Sequence, residues 1–299
     1  MTVVQTIDRK IALSNLDKDL YPSFGFTKAA VLDYYRRIAP LLLPHLNGRA
    51  LTLKRYPDGV SGKSFYEKRC PNHRPAWMRT AEVPQDHGAP INFCVIDDLE
   101  SLLWVANLAS LELHVPLARA ASSRTPDSLV FDLDPGEGAG VLECGRAALI
   151  LRELLAGLNL SCWVKSTGRK GLHVFVPLNR EETTFDATKL FTKSVAVIMQ
   201  KHYPELVTAN MPKAERRGRV FINWSQNDAS KTMISVYSLR AEEKPFVSCP
   251  LEWSEVESAV KNGDPAKLRV VSSEALNRIS EQGDLFRDLS TKKQALPHL

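Results

Sequence analysis

The chain has 299 residues, of which 44% are hydrophobic and 24% are charged, and its formal net charge is +5. This composition is typical of an ordinary globular protein that is large enough for one elaborate domain or two small ones. The sequence has no apolar run of about 18 residues and no apolar segment between Met1 and Lys10, so we expect neither a membrane span nor a secretion signal.

The first elements along the chain are predicted to be a helix, a strand pair and a second helix. Thr27 begins a helical pattern with one apolar stripe. Residues 49–56 and 64–68 have strand character on either side of a Pro-Asp-Gly turn. Apolar residues at helical spacing then predict a second helix over residues 97–113.

From Leu129 onwards strands and helices alternate. Helices are predicted over residues 141–158, 185–202, from about 252, and 273–289. Strands are predicted over residues 129–134, 162–166, 172–177, 219–225 and 233–239. This alternation with short hairpin links predicts an α+β fold, in which a mixed or antiparallel sheet of the RNA-recognition type has helices packed on one face.

The cysteines are odd in number and show no paired spacing. They are Cys70, Cys94, Cys144, Cys162 and Cys249. A scattered set of this kind in a chain of this length predicts reduced thiols and a cytoplasmic location.

Two carboxylates stand at the end of an apolar strand, directly before a Pro-Gly turn. Because side chains alternate along a strand, Asp132 and Asp134 point to one face, about 7 Å apart. Such a pair can share divalent cations, which would hold a nucleoside triphosphate and activate an attacking hydroxyl. Taken alone, an Asp-x-Asp pair is more often a solvated strand end, so this interpretation depends on the rest of the sequence.

Residues 166–173 form a basic turn, Ser-Thr-Gly-Arg-Lys-Gly-Leu-His, between two apolar strands. The glycines let the backbone approach a ligand, while Arg169, Lys170 and backbone N–H groups could receive a triphosphate. His173 begins the returning strand on a defined face of the sheet. A solvated turn and a structural histidine are the alternatives that these residues leave open.

Polar residues also crowd the end of the strand that contains Asn223, and Lys231 follows on the next segment. An exit into a loop would give the same pattern. Basic pairs near residues 54–55 and 68–69 are interleaved with Phe65 and Tyr66, as a nucleic-acid channel requires. Because neighbours in a strand face opposite sides, one of these two rings could instead belong to the core.

Together these segments resemble the archaeo-eukaryotic primase superfamily, and most closely the polymerase domain of the bacterial end-joining ligase D. The resemblance covers most of the chain. The segments that carry it are residues 15–22, 54–59, 65–68, 113–116, 131–138, 166–173, 224–227, 230–232 and 237–240. It implies a primase-polymerase fold, α+β with mixed or antiparallel sheets flanked by helices. It also implies a single catalytic domain over residues 1–299, with an N-terminal DNA-contacting lobe (1–125) and a catalytic sheet lobe with C-terminal helices (126–299).

The resemblance implies three groups of site residues. Asp132 and Asp134 would bind a divalent metal, Mn²⁺ or Mg²⁺. The incoming nucleotide, NTP or dNTP with a preference for ribonucleotides, would be bound by Ser166, Lys170, His173, Lys231, Arg240, His114 and Lys54. A DNA end with a recessed 5′-phosphate or a 3′ overhang would be contacted by Asn15, Lys18, Lys28, Phe65, Tyr66 and Arg216. The resemblance implies that the two lysines bind the 5′-phosphate and that the two aromatic rings stack where the template is bent. Arg216 would lie in a mobile loop at the primer entry.

One residue departs from the family pattern. Asn223 stands where the family has its third catalytic Asp, either as a natural loss or as an introduced substitution. The sequence ends at Leu299 without a ligase or nuclease motif, so we expect a stand-alone polymerase or an excised domain.

We therefore expect a two-metal, template-directed nucleotidyltransferase that extends or fills DNA ends in double-strand break repair, slowed by Asn223. The alternatives are a catalytically silent end-binding and synapsis module and a de novo primase; a carboxylate nuclease is disfavoured by the basic turn. The resemblance also implies Ku and a DNA ligase as partners, pairing of two chains across two DNA ends, and a nucleoid-associated cytoplasmic location.

Overall fold

The computed structural model describes residues 2–5 and 9–297. The helices in this part of the chain are α1 (Lys28–Leu46), α2 (Leu99–Asn107), α3 (Val141–Gly157), α4 (Phe185–His202), α5 (Trp253–Asn262) and α6 (Ser272–Gln282). The strands are β1 (Thr2–Gln5), β2 (Lys10–Leu13), β3 (Asp19–Tyr21), β4 (Phe26–Thr27), β5 (Thr52–Arg55), β6 (Phe65–Glu67), β7 (Thr80–Val83), β8 (Ile91–Cys94), β9 (Ser110–Val115), β10 (Ser128–Pro135), β11 (Trp163–Ser166), β12 (Leu172–Pro177), β13 (Val207–Thr208), β14 (Val220–Asn223), β15 (Met233–Ile234) and β16 (Pro250–Leu251).

The chain divides into two compact units. The first contains residues 1–121, 232–247 and 271–283, and the second contains the rest of the chain. The first unit therefore takes two segments from beyond residue 126. The predicted single domain with lobes 1–125 and 126–299 stays a prediction.

The first unit contains a four-stranded antiparallel sheet in the order β15-β9-β5-β6. The helix predicted from Thr27 is confirmed as α1: the Thr27 hydroxyl accepts the backbone N–H of Ala30 and caps the helix. Its predicted apolar stripe is buried, with Tyr35 and Ile38 fully enclosed. Strands β5 and β6 lie within the two predicted strand segments and pair across the predicted turn.

The second unit contains a six-stranded sheet in the order β13-β14-β10-β12-β11-β16. All its pairings are antiparallel except the parallel pair of β13 and β14, so the sheet is mixed. Helix α3 packs against β10 and β12, and α4 packs against β10 and β13. The predicted α+β class is confirmed, and β12 and α4 have the predicted bounds.

Three predicted elements are wrong in extent. The helix over 97–113 ends at Asn107, because Ala109 adopts a φ of +59° and residues 110–115 form β9. Every residue of β9 is buried, and a wholly buried strand shows no alternation that separates it from a helix. The strand over 233–239 is only β15, and the last helix ends at Gln282 because Gly283 follows with a φ of +67°.

The prediction of reduced cysteines is wrong for one pair. Cys70 and Cys94 form a disulfide, with Cα atoms 4.8 Å apart. A backbone hydrogen bond from the Cys70 N–H to the Asn92 carbonyl holds the two segments side by side. The pair is separated by 24 residues, a spacing with no recognisable motif. Among the described residues, the other cysteines form no disulfide, and no described helix is long and apolar enough to cross a membrane.

Candidate active site

Four polar residues form a row across the sheet of the second unit. Strand register places Lys165 opposite His173, His173 opposite Asp132, and Asp132 opposite Asn223. Residues that are directly opposite share one face of a sheet, so the four side chains project on the same side. Asp134 lies on this face as well, because it is two residues from Asp132 on β10.

Both oxygens of Asp132 have hydrogen-bonding neighbours. The Nε2 atom of His173 lies 3.2 Å from Oδ1, and the Nδ2 atom of Asn223 donates to Oδ2 at 3.1 Å. Burial alone would raise the pKa of Asp132, but the hydrogen bonds from His173 and Asn223 outweigh it and lower the pKa. Asp132 is therefore held as a carboxylate.

Asp134 is more open, with 58% of its side chain exposed. Burial of its inner part and the negative charge of Asp132 raise its pKa, and the charges of Arg216 and Lys170 oppose this rise. The nearest of these charges is the guanidinium of Arg216, with Nη1 3.7 Å from Oδ2 of Asp134. Two carboxylates that repel each other on one open face have the hard oxygen donors that Mg²⁺ or Mn²⁺ requires.

Position 223 does not match that donor set. Asn223 presents its amide nitrogen to Asp132, while its carbonyl oxygen accepts the Ser225 hydroxyl at 2.8 Å. The ammonium of Lys231 donates to Ser225 at 2.8 Å. Within the described residues no three His, Cys, Asp or Glu side chains are grouped for a metal. The residues present thus fit a cation held by two carboxylates, and not a three-carboxylate centre.

The basic turn lies between β11 and β12, as predicted. The Ser166 hydroxyl accepts the backbone N–H of Gly168 at 3.0 Å, and Gly168 has a φ of +70°. A Cβ on Gly171 would stand 2.4 Å from the carbonyl oxygen of Leu133, so only glycine lets the turn approach the carboxylate strand. Lys170 is exposed at the tip, while Ser166 and His173 are buried beside the row.

Three of the predicted nucleotide-binding residues, Lys54, His114 and Arg240, surround a buried glutamate in the first unit. Glu112 is fully buried, and its Oε2 atom lies 3.0 Å from Nε2 of His114, 3.4 Å from Nη1 of Arg240 and 3.9 Å from Nζ of Lys54. The Tyr56 hydroxyl donates to Oε1 at 3.3 Å. Sequence reasoning missed Glu112, although a glutamate between leucines in an apolar segment is a signal for a buried ion pair.

The charges of this cluster are strongly coupled. Burial would raise the pKa of Glu112, but the hydrogen bond with His114 and the charges of Arg240 and Lys54 lower it to about 2. Burial also lowers the pKa of His114, against the raising effect of Glu112. Glu112 is thus a stable anion that holds the side chains of Lys54, Arg240 and His114 in place.

The two predicted end-binding lysines lie close together in the first unit. The Lys28 backbone N–H donates to the Lys18 carbonyl, and Lys28 is almost fully buried. Burial and the charges of Lys18 and Arg55 lower the pKa of Lys28. Lys18 contacts Asp58 at 2.9 Å, and the exposed Asn15 adopts a φ of +53° in the same segment. Neighbouring cations that repel each other in this way can bind an anion.

The predicted aromatic pair is exposed on β6. Phe65 and Tyr66 are 44% and 58% exposed, so neither ring belongs to the core. They face opposite sides of the strand, and each lies beside a cation of β5: Arg55 stands 5.2 Å from the Phe65 ring and Lys54 stands 5.2 Å from the Tyr66 ring. Exposed rings beside cations can stack on bases.

Comparison with known proteins identifies the family of the chain. Residues 27–286 match the family described as LigD, primase-polymerase domain. The chain is 39% identical over 282 residues to the multifunctional non-homologous end joining protein LigD of Mycolicibacterium smegmatis, covering 94% of this chain and 36% of that protein. It is 32% identical over 289 residues to the bifunctional non-homologous end joining protein LigD of Bacillus subtilis, covering 96% of this chain and 45% of that protein.

A solved structure of the polymerase domain from Mycobacterium tuberculosis ligase D in complex with DNA is similar with a TM-score of 0.87 at 37% identity. The match covers 95% of this chain and 99% of that one. The chain spans between about a third and a half of the length of these curated relatives. The predicted family and fold are confirmed, as is the expectation of a nucleotidyltransferase family of end-joining DNA repair. The chain belongs to the LigD primase-polymerase domain family.

Proposed function

We propose that the chain is a divalent-metal-dependent nucleotidyltransferase that extends or fills DNA ends on a template, with a preference for ribonucleotides. The observation that carries this proposal is the row of Asp132, His173 and Asn223 on one sheet face, next to a basic glycine turn. The fold of a ligase D polymerase domain that was solved with DNA supports it.

Asp132 and Asp134 would hold a cation, with Mn²⁺ or Mg²⁺ as the candidates. When bound, such an ion neutralises phosphate charge and acidifies an attacking hydroxyl. His173 keeps Asp132 in one orientation through its contact with Oδ1. Lys170 and the N–H groups of the turn would receive phosphate oxygens, with Ser166 fixing the shape of the turn through its bond to Gly168.

For Lys54, His114, Arg240 and Lys231 we also propose a role in nucleotide binding. Lys54 and Arg240 both lie beside the Glu112 carboxylate, which fixes their positions. We propose that Glu112 keeps these two cationic side chains from moving apart when no nucleotide is bound, since buried like charges require a counterion.

Recognition of the DNA end is proposed for the first unit. Lys18 and Lys28 would bind a recessed 5′-phosphate beside Asn15, and Phe65 and Tyr66 would stack on the template. Arg216 is proposed to act at the primer entry, because its guanidinium stands beside Asp134 and over the ring of Phe221. We also propose Ku and a DNA ligase as partners of the chain, and the pairing of two copies of the chain across two DNA ends. The proposed location is cytoplasmic and associated with the nucleoid.

A second candidate, a module that binds and bridges DNA ends with little catalysis, is favoured by one observation. Asn223 stands in the place of a carboxylate and presents a donor to Asp132. A chain of this kind would retain every proposed phosphate-binding and DNA-binding residue and would lose the charge that a catalytic cation needs.

A primer-extension assay tests both candidates. Recessed DNA ends with and without a 5′-phosphate are compared, with NTP against dNTP and Mn²⁺ against Mg²⁺, and end binding is measured on the same substrates. Metal-dependent extension that prefers NTP supports the enzyme, and binding and bridging without extension support the second candidate. Absence of both end binding and extension would refute the proposed function.

A further inference from the structure

Four side chains of the second unit form a continuous series of hydrogen bonds that ends on a proposed metal ligand. Lys231 donates to the Ser225 hydroxyl at 2.8 Å, Ser225 donates to Oδ1 of Asn223 at 2.8 Å, and Nδ2 of Asn223 donates to Oδ2 of Asp132 at 3.1 Å. We call these four residues the relay. Ser225 is buried, so water does not compete freely for its hydroxyl.

The two ends of the relay fix its direction. An ammonium group has donors only, and a carboxylate has acceptors only. The lone pair of Ser225 that faces Lys231 is therefore occupied, and its hydroxyl proton is directed to Asn223. If the Asn223 amide were flipped, it would no longer accept the hydrogen bond from Ser225. Its carbonyl oxygen would then face an oxygen of Asp132, and two oxygen atoms without a proton between them repel each other. Asn223 therefore presents its NH₂ group to Asp132.

We propose that Ser225 is a positioning residue that keeps Asn223 turned as a donor toward Asp132, so that the side chain at position 223 opposes cation binding instead of supplying a ligand. An amide nitrogen does not coordinate a hard dication, whereas an amide oxygen does. For Asn223 to offer its oxygen, the bond from Ser225 must break and the bond to Asp132 must be lost. This proposal rests on the proposed cation site of Asp132 and Asp134.

The relay predicts that removal of the Ser225 hydroxyl changes cation binding differently when position 223 is Asn and when it is Asp. With Asn223 present, removal of the Ser225 hydroxyl eliminates one hydrogen bond that resists the flip. With a carboxylate at position 223, either oxygen is a ligand and the Ser225 hydroxyl only helps to hold it. Removal of the hydroxyl should therefore help cation binding in the first background and should not help in the second.

The experiment measures Mn²⁺ binding to the full chain by electron paramagnetic resonance, without DNA or nucleotide. The variants are Ser225→Ala, Asn223→Asp, their combination, and Ser225→Thr as the matched control that retains the hydroxyl. A net hydrogen bond is worth about 1 kcal/mol, so Ser225→Ala alone should tighten Mn²⁺ binding about fivefold. Ser225→Thr should leave it unchanged, and Ser225→Ala in the Asn223→Asp background should leave it unchanged or weaken it.

The side-chain amide signal of Asn223 gives a second readout, which is assigned by its loss in Asn223→Asp. In the unaltered chain the amide protons should stay protected from solvent exchange as Mg²⁺ is added, because the amide remains bonded to Asp132. A saturable Mg²⁺-dependent loss of this protection would overturn the relay. So would a Ser225→Ala effect that is absent, or that is equal in the two backgrounds. Absence of Mn²⁺ binding in all variants would overturn the relay together with the proposed metal dependence, whereas the relay failing alone leaves the proposed polymerase function standing.

Discussion

The replacement Asn223→Asp should convert a slow or stalled site into an efficient one. The amide nitrogen of Asn223 lies 3.1 Å from Oδ2 of Asp132, so a carboxylate at this position would place a second negative charge at about that distance. At an effective dielectric constant of about 20, two unit charges 3.1 Å apart repel by roughly 5 kcal/mol. A bound dication removes this repulsion and gains a charged ligand.

Loss of a catalytic metal costs several kcal/mol of transition-state stabilisation, and about 4 kcal/mol corresponds to a thousandfold change in rate. The replacement should therefore raise single-turnover extension with Mn²⁺ about a thousandfold, while the affinity for nucleotide changes much less. The variant should also melt at a lower temperature without metal and gain more thermal stability on addition of Mn²⁺ than the unaltered chain.

A matched control is Asn262→Asp, which adds the same charge at an exposed position on α5 of the same unit. It should change neither the rate nor the metal dependence of melting. Robust extension by the unaltered chain, or no gain from Asn223→Asp, would refute the assignment of position 223.

Three further predictions concern the first unit. Lys18→Ala with Lys28→Ala should abolish the preference for 5′-phosphorylated ends in a fluorescence binding assay while sparing weaker, salt-sensitive binding; equal affinity of the unaltered chain for both ends would contradict the phosphate site. Phe65→Ala with Tyr66→Ala should weaken overhang binding about tenfold or more, since stacking is worth about 1–3 kcal/mol per ring, and unchanged binding would show that neither ring stacks. The pKa of Glu112 is lowered to about 2 in the folded state, so Glu112 stabilises the protein above its ordinary pKa of 4.5 and this contribution is lost as the pH falls toward 2. Urea unfolding at pH 5 and pH 3 should show a loss of about 2 kcal/mol that Glu112→Gln removes, and an identical loss in the variant would contradict the buried ion cluster.

The carboxylate pair could be predicted from the sequence because its evidence is local. An apolar strand that ends in Asp132 and Asp134 fixes their common face by alternation, and the following Pro-Gly turn ends the strand. The basic turn was equally predictable, since the glycines and cations between two apolar strands leave few other conformations. Both features depend on neighbours within a few residues.

The glutamate cluster could not be predicted in the same way. Glu112 lies in β9, which is buried along its whole length, and the leucines on either side of it fit a helical period as well as a strand. Its partners Lys54 and Arg240 are distant in the sequence and meet it only when β5 and the segment after β15 reach the same sheet. Long-range pairing of this kind has no local signal.

The disulfide and the discontinuous sequence of the first unit both arise from contacts between residues that are distant in the sequence. Cys70 and Cys94 approach each other because the backbone N–H of Cys70 donates to the carbonyl of Asn92 in β8. Residues 232–247 and 271–283 belong to the first unit although they come after strands β10 to β14 of the second unit in the sequence. The predicted lobes, residues 1–125 and 126–299, follow sequence order, and this division stays a prediction.

Position 223 separates two requirements that a polymerase site usually meets together. Holding a triphosphate needs positive charge at the phosphates, and the proposed phosphate-binding turn with Lys170 retains its charge whatever stands at position 223. Nucleotide transfer needs negative charge at the carboxylates, so that a cation is bound firmly enough to act on the attacking hydroxyl. In this chain Asp132 is already occupied by donors from His173 and Asn223, and Asp134 lies beside Arg216. Nucleotide affinity and rate of addition should therefore respond separately to Asn223→Asp, and a variant that changed both in equal proportion would show that the two requirements are not separated here.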